Sequence, residues 1–292
     1  AFDHGAQYFR AGTELFAKWL KSFETDGHLQ AWSPRHVHFA PDGSHKARRD
    51  ESSKLVFVSG MSAIGKALLA NHPEWKLHLD CAVDLVSGQA GEMYLHRGAE
   101  RFGPFVHVVL AMPPRQVQAL VPPKIAFADA LAGTKMLGCH TLMLGYGEQE
   151  APAMDWECAH FDDEILGYAG VNSCKPGRSG GFAIIVQTQN QWSEAHIDDE
   201  LDTISAVMKQ RFESITGITT NVSGYDSVHR WRYASTQKPA ADSAQPYLLD
   251  EAKGLSAIGD WCSGSKVESA FLSGTALATK LIDGFLNGSL LS

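Results

Sequence analysis

The chain has 292 residues, 44% of them hydrophobic, which suffices for one large or two medium domains with a sizeable core. A formal net charge of −8 leaves no basic footprint for nucleic acid or an anionic membrane, and no apolar run reaches the ~18 residues that span a bilayer. Five cysteines without a C-x-x-C make no disulfide framework, and no signal peptide is evident, so a reducing cytosol is the expected compartment.

Residues 2–9 read as a short extended segment. Gly12-Thr13-Glu14 opens an amphipathic helix with Leu15, Phe16, Trp19, Leu20 and Phe23 on one stripe, and Asp26-Gly27 ends it. Residues 30–39 alternate as one strand and 54–58 read as another, with a polar surface loop over 41–53. His36-x-His38 would share a strand face, where a metal is one reading; with no third ligand evident, a plain sheet face is preferred and no metal is expected. Residues 62–71 form a helix with Ile64, Leu68 and Leu69 inward. Extended runs follow at 76–79, 81–86 and 93–96, then a continuous apolar strand over 105–111 that stops at Met112-Pro113-Pro114. Short helices are predicted at 115–120 and 126–131. Strands at 137–144, 164–172 and 182–188 have no helix between them, which predicts an antiparallel sheet. Residues 197–215 are a helix with Leu201, Ile204, Val207, Met208 and Phe212 on one stripe. Residues 219–233 return to strand, and 235–245 are a loop rich in Pro and Ala.

No Gly-x-Ser-x-Gly elbow, Walker loop or His-Glu-x-x-His is present, so serine hydrolase, P-loop and zincin chemistry have no support. Cys139-His140 would face opposite ways on a strand, and Cys158-x-His160 is a same-side pair without an Asn or Asp to orient it. The most informative stretch is 254–274. Its apolar run 255–258 stops at Gly259-Asp260, and Val267, Ala270, Phe271, Gly274 and Ala278 then recur at helical spacing, giving strand, turn, helix. A helix start at Ser263-Gly264-Ser265 would aim free N–H groups and the positive dipole end outward, which suits an anion or an electron-rich carbonyl. Asp260 is either an acceptor for sugar or polyol hydroxyls or an ordinary turn residue.

This stretch resembles the last cofactor-binding segment of FAD-dependent oxidoreductases of the amine oxidase and renalase group, through Gly259-Asp260, Val267-Glu268-x-Ala270 and Ser273-Gly274. Four further stretches match in the same order: Asp3-His4-Gly5-Ala6-Gln7-Tyr8-Phe9, Gly60-Met61-Ser62-Ala63-Ile64, Leu110-Ala111-Met112-Pro113 and His229-Arg230-Trp231-Arg232-Tyr233-Ala234. Within the group they look most like bacterial renalase-like proteins. The resemblance implies an α/β fold: an FAD/NAD(P)-binding doubly wound domain, incomplete here, over 1–9, 60–112 and 248–292, plus an antiparallel-sheet α+β substrate domain over 10–59 and 113–247. It implies noncovalent FAD held by Gly5, Ala6, Gln7, Tyr8, Val83, Met112, Gly259, Asp260, Lys266 and Val267. Asp260 would hold the ribityl chain, the Val83 backbone the adenine, and Gln7 and Tyr8 would approach the flavin. Trp231, Arg232 and Tyr233 would line the substrate face. Trp231 is equally readable as a core residue at a domain interface, and Arg232 either meets a substrate phosphate or carboxylate or pairs with an acidic neighbour.

The activity so implied is oxidation of a small reduced substrate, a dihydronicotinamide dinucleotide isomer being one candidate, with hydride passing to flavin and molecular oxygen as acceptor. The flavin brings the redox chemistry, so the lack of an acid, base and nucleophile set does not argue against an enzyme. An amine oxidase is one alternative, and a non-enzymatic scaffold unable to hold FAD is the other. The sequence departs from the group in one respect: it carries no G-x-G-x-x-G. Ala1 is therefore expected to be a fragment boundary, with the frame extending upstream by roughly 45 to 60 residues that hold this motif. Little or no FAD is expected on residues 1–292 alone.

Overall fold

A computed structural model describes residues 2–49, 53–238 and 245–287. It forms two compact units, Ala1–Trp75 with Leu137–Ala234, and Lys76–Met136 with Ser235–Ser292. The expected boundaries at 9/10, 59/60, 112/113 and 247/248 therefore differ from the observed ones. Residues 60–75 stay with the first unit because Met61 N–H donates to the Asp3 carboxylate at 2.9 Å. Residues 113–136 join the second because Val117, Phe127 and Leu131 are buried in one cluster with Leu110, Leu255 and Trp261.

In the first unit the sheet order is Tyr225–Lys238, Lys135–Gly145, Ala183–Thr188, Leu166–Val171, Cys158–Phe161, His36–Phe39 and His45–Ala47. Lys135–Gly145, Ala183–Thr188 and Leu166–Val171 pair antiparallel as the sequence predicts; Cys158–Phe161, not among the predicted strands, pairs antiparallel with Leu166–Val171 and parallel with His36–Phe39. Alternation divides the strand residues between two faces. Val37, Phe39, Ala159, Phe161, Ala169, Ile184 and Val186 cluster with Ile204, Met208, Phe212 and Ile215 of the helix Leu201–Thr216. Cys158 and Tyr168, on the other face, are buried with Trp32 and Val56. A second, two-stranded sheet pairs Leu29–Trp32 with Lys54–Phe57, and Phe9 bridges to Leu55. The helix Glu14–Thr25 covers it through Phe16, Leu20 and Phe23, with Thr13 as its N-cap, whereas Leu15 of the predicted stripe is 50% exposed.

The second unit holds the antiparallel meander Leu85–Gln89, Glu92–Arg97 and Glu100–Phe105. Its other sheet places Leu255–Ala257 between Leu248–Asp250 and the parallel Val108–Leu110. Leu255–Ala257 and Lys135–Gly145 thus lie in different sheets. The helix Val267–Leu286 closes the unit, and no described helix is long and apolar enough to cross a membrane.

Several expectations are corrected. Residues 30–39 make two strands in two sheets, because Ser33-Pro34 interrupts them and proline cannot donate to a ladder. The run 105–111 is likewise two strands, broken at 106–107, and 76–79 is not a strand. The helix Ala63–Asn71 buries none of its residues, and Leu69 is 38% exposed. The helix predicted at 197–215 begins only at Leu201 and runs to Thr216, and a separate short helix, Asn190–Ala195, precedes it. Residues 235–238 of the loop predicted at 235–245 belong to the strand Tyr225–Lys238, and residues 239–244 lie outside the described ones, as do 50–52 of the loop predicted at 41–53.

The core predicts a contrast within one helix. Phe212→Ala, at a fully buried side chain, should cost about 3–5 kcal/mol in a urea melt of the first unit. Leu201→Ala, at the 39% exposed end of the same predicted stripe, should stay near the roughly 0.5 kcal/mol typical of surface changes.

Candidate functional site

Asp3 anchors the N-terminal segment of the first unit. Its carboxylate Oδ2 takes the Lys175 ammonium at 3.2 Å and Arg178 Nη2 at 2.6 Å, while Oδ1 accepts the Met61 N–H. The Asp3 backbone N–H donates to Asn172 Oδ1 at 3.2 Å. Burial by itself would raise the Asp3 carboxyl. The Lys175 charge, the Met61 N–H and Arg178 outweigh burial and hold it below the usual aspartate range. Burial pulls the Lys175 ammonium down to about 8, so both groups stay charged at neutral pH. Gln7 belongs to this network: its amide donates to the carbonyls of Asp3 and Gly5 and its Oε1 accepts Lys175 Nζ at 3.0 Å. Gln187 Nε2 also donates to the Gly5 carbonyl, at 2.9 Å. Lys175 and Arg178 had no sequence signal, since they meet Asp3 across more than 170 positions.

Of the expected first-unit residues, the structure brings Gly5 and Trp231 together. A Cβ on Gly5 would sit 3.5 Å from the indole, whose Nε1–H donates to the His4 carbonyl at 2.8 Å. The His4 and Trp231 rings stack with centroids 5.3 Å apart, and Tyr233 shares Trp231's side of the strand by alternation. Arg232 points the other way and pairs with Asp198 at 2.7 Å on the surface, which is the acidic-neighbour alternative. Tyr8 lies elsewhere, against Trp32 and Tyr168, with Arg10 and Lys54 over its ring. A cavity of about 160 Å³ beside Phe2, Asn172 and Arg178 is lined by none of the expected residues.

The two cysteine–histidine pairs differ sharply. Burial raises the Cys139 thiol and, with help from Arg230, pulls His140 down to about 4. His140 Nδ1 meets Ser193 Oγ at 3.2 Å instead of the neighbouring sulfur. Cys158 and His160, by contrast, share a face with His36, which lies in register with Cys158 on the parallel neighbour strand. His36 Nε2 and His160 Nδ1 are 2.7 Å apart. Burial first, then the charges of Arg48, His38, Lys54 and Arg10, bring His160 down to about 4, so its imidazole is neutral at pH 7.

In the second unit the strand Leu255–Ala257 leads through Gly259 into a 3₁₀ turn, Asp260–Cys262, and then the long helix, which starts at Val267 rather than at Ser263. Lys266 precedes that helix as an extended, exposed residue and supplies no side-chain cap. Trp261 is fully buried, and its Nε1–H donates to the Met112 carbonyl at 3.0 Å, so the turn and the Met112 segment are joined directly. A Cβ on Gly259 would fall 2.3 Å from that indole nitrogen; glycine is required there by close approach. Ser273 Oγ accepts the Gly259 N–H at 3.2 Å, tying the turn to the helix. Burial raises the Asp260 carboxyl above the usual range, with partial relief from the Trp261 backbone N–H. Val83 is a half-buried neighbour of the Leu110 and Trp261 cluster.

The arrangement defines a mixed α/β protein whose antiparallel sheet packs on one helix and whose second unit ends in a strand, Gly-Asp turn and helix. No protein-family profile matches the sequence. Among solved structures the chain is similar to a protein assigned as a protoporphyrinogen oxidase from Exiguobacterium sp. 255-15. The TM-score is 0.65 and the identity 13%, over 80% of this chain and 53% of that one. It is also similar to cyclohexylamine oxidase from Brevibacterium oxydans IH-35A, with a TM-score of 0.56 and 15% identity over 78% of this chain and 52% of that one. The chain spans about half the length of the structures it matches, and at such identities the likeness establishes the fold.

Two changes separate the roles of the buried carboxylates. Asp3→Asn strands two buried cations and should cost about 3–5 kcal/mol, read as a lower urea midpoint at pH 7. Because the folded carboxyl sits below its unfolded value, the stability it contributes is present at neutral pH and is lost as pH falls through the folded value; the variant's deficit should shrink in strong acid. Asp260→Asn should do the opposite. A raised folded carboxyl penalises the fold above its folded value, so the amide should raise the melting temperature at pH 7 and have no effect below the ordinary aspartate range. A lower melting temperature for Asp260→Asn at pH 7 would show that the carboxylate is a structural cap.

Proposed function

We propose that the chain is an FAD-dependent oxidoreductase of the flavin amine oxidase type, renalase-like in its motifs, acting on a small-molecule substrate with oxygen as acceptor. The observation that carries this reading is the Gly259-Asp260 turn. It places a partly desolvated carboxylate, with no cation beside it among the described residues, just ahead of a 20-residue helix without a side-chain N-cap. Such a carboxylate needs hydroxyl donors, and such a helix start needs acceptors. The ribityl chain and the pyrimidine carbonyls of a flavin offer both, so the residues present fit the group. When bound, the flavin would supply hydride acceptance and electron transfer.

The roles proposed for the chain's own residues follow from their contacts. Asp260 would accept ribityl hydroxyls, and the backbone at Lys266 and Val267 would donate to a carbonyl. Met112, through its carbonyl, fixes Trp261 and thereby the turn. The Val83 backbone is proposed to meet the adenine, on the resemblance alone. In the first unit, Gln7 is a positioning residue whose hydrogen bonds hold the Gly5 backbone, and Tyr8, packed against Trp32 and Tyr168, is proposed for the flavin on the resemblance alone. Trp231 and Tyr233 are proposed for the substrate face, and Arg232, committed to Asp198, is left to the surface. The likeness to cyclohexylamine oxidase favours an amine as the second reading of the substrate.

Titration with FAD, followed by quenching of flavin fluorescence, tests the assignment. With no G-x-G-x-x-G to hold the pyrophosphate, little FAD should stay on the purified chain; binding should be weak and saturable only at high FAD, and Asp260→Ala should weaken it by a further roughly 10- to 150-fold, the equivalent of the about 1.5–3 kcal/mol of a hydrogen bond to a charged group. Equal affinity in the two proteins would refute the role of Asp260, and no saturable binding at all would count against FAD for this chain.

A further inference from the structure

The first unit carries a constellation to which the proposed function assigns no role. His36, Cys158 and His160 each offer one ligand atom, and the three atoms lie within 4.8 Å of one another. They converge because the parallel pairing sets Cys158 beside His36 and alternation keeps His160 on the same face. Cys158 is fully buried, His36 nearly so, and His160 is half-buried, which leaves a way in from one side. Tyr168, next in the sheet, stands edge-on to His160 with ring centroids 5.5 Å apart, and the Cys158 thiol donates to its Oη at 3.6 Å. Gly170 makes room for this: a Cβ there would fall 2.6 Å from Tyr168 Oη.

We propose that His36, Cys158 and His160 form a metal site of the N₂S type, taking Zn²⁺ or another borderline divalent transition ion, with the fourth position open to water. In a tetrahedral zinc site, bonds of about 2.0–2.1 Å to nitrogen and 2.3 Å to sulfur put the ligand atoms ~3.4–3.6 Å apart. The ring nitrogens, now at 2.7 Å, would separate and the sulfur would approach, by side-chain shifts of about 1 Å. The ion forms one bond to sulfur and one to a nitrogen of each ring. The Cys158 thiol proton leaves to solvent, and the imidazoles stay neutral with their remaining protons on the other nitrogens. No electron is transferred. The donor set also sets the class of ion. Thiolate and imidazole suit Zn²⁺, Co²⁺ or Cu²⁺, whereas a donor set without a carboxylate or carbonyl oxygen does not suit hard, oxygen-seeking Mg²⁺ and Ca²⁺. In this state Tyr168 Oη becomes a hydrogen-bond donor to the bound thiolate, the kind of outer contact that orients a ligand.

The test uses the whole chain carrying Cys81→Ser and Cys174→Ser, which removes the two cysteines that are not buried. Protein stripped with EDTA is titrated with Zn²⁺ against a chromogenic chelator and, separately, with Co²⁺ in the spectrophotometer. The expected result is one equivalent of either ion, a thiolate-to-cobalt charge-transfer band, and a higher melting temperature with Zn²⁺. Cys158→Ser should abolish the band, and His36→Gln and His160→Gln should each weaken Zn²⁺ by at least the roughly 10- to 100-fold that loss of an outer contact costs. His78→Ala, at an exposed histidine of the other compact unit, should change nothing. Binding that survives Cys158→Ser with an unchanged cobalt spectrum would assign the ion to surface histidines and overturn the proposal, as would the absence of one-equivalent binding. Should Cys158→Ser fail to fold by circular dichroism, the two glutamine variants and the charge-transfer band decide by themselves.

Discussion

The first unit depends on one buried ionic knot. Asp3 brings a carboxylate into the interior against Lys175 and Arg178, whose side chains are 0% and 4% exposed. Desolvating three such groups is costly, and their mutual attraction offsets that cost only because the remaining lone pairs and protons are also used. They are used here: Met61 N–H fills the other carboxylate oxygen, Gln7 takes the ammonium, and the Phe57 and Pro176 carbonyls take the guanidinium. Three separate pieces of chain, residues 3–7, 57–61 and 172–178, are therefore fixed against one another by charge. The register of Phe9 against Leu55, and with it the aromatic stack of Phe9 on Phe57, follows from where this knot holds the first residues.

Strand alternation then assigns chemistry to one side of the sheet. Along Cys158–Phe161 the residues Ala159 and Phe161 turn to the helix, which leaves Cys158 and His160 to the opposite face. His36–Phe39 repeats the division, with Val37 and Phe39 inward and His36 opposite. The apolar face is satisfied by burial against Leu201–Thr216, a non-directional interaction that tolerates many sequences. The polar face is satisfied only by directed contacts, such as the paired imidazoles and the thiol against Tyr168. A one-residue slip of either strand would exchange the faces and bury the imidazoles against Phe212, so the packing of the helix also fixes the geometry of the His–Cys–His group.

How much of this was legible in the sequence depended on range. The helix Glu14–Thr25 was readable because its cap and stripe are local, and so was the antiparallel run of long strands. The break at Ser33-Pro34 was missed although it was legible: Trp32 and Val37, five positions apart, would fall on opposite faces of one strand, and proline cannot donate to its ladder. The helix Ala63–Asn71 carries an apolar pattern yet buries none of its residues, which a periodicity argument cannot detect. His36-x-His38 was visible as a same-face pair lacking a third ligand, and Cys158-x-His160 as a same-side pair lacking an Asn or Asp to orient it. His36 meets His160 across 124 positions, and only a parallel strand pairing joins them. The Asp3 knot was equally silent, since lysine and arginine in a Gly- and Pro-containing loop read as solvated charges.

The Gly259-Asp260 turn shows how a motif can be divided into structural and functional parts. Gly259 has a complete structural reason: its φ of 161° is extended backbone that any residue can adopt, but the Trp261 indole occupies the place of a side chain. Trp261 in turn is fixed by burial and by the Met112 carbonyl, so glycine would be needed whether or not any ligand binds. Asp260 has no comparable reason. Its carboxyl is raised by burial, and a turn residue chosen for stability would instead be one whose side chain is relieved by the fold. A carboxylate that the fold destabilises, next to a helix whose first turn lacks a side-chain cap, holds hydrogen-bonding capacity in reserve on both sides of the turn. The residues around it account for the shape of this segment, and a ligand rich in hydroxyls and carbonyls would account for its charge.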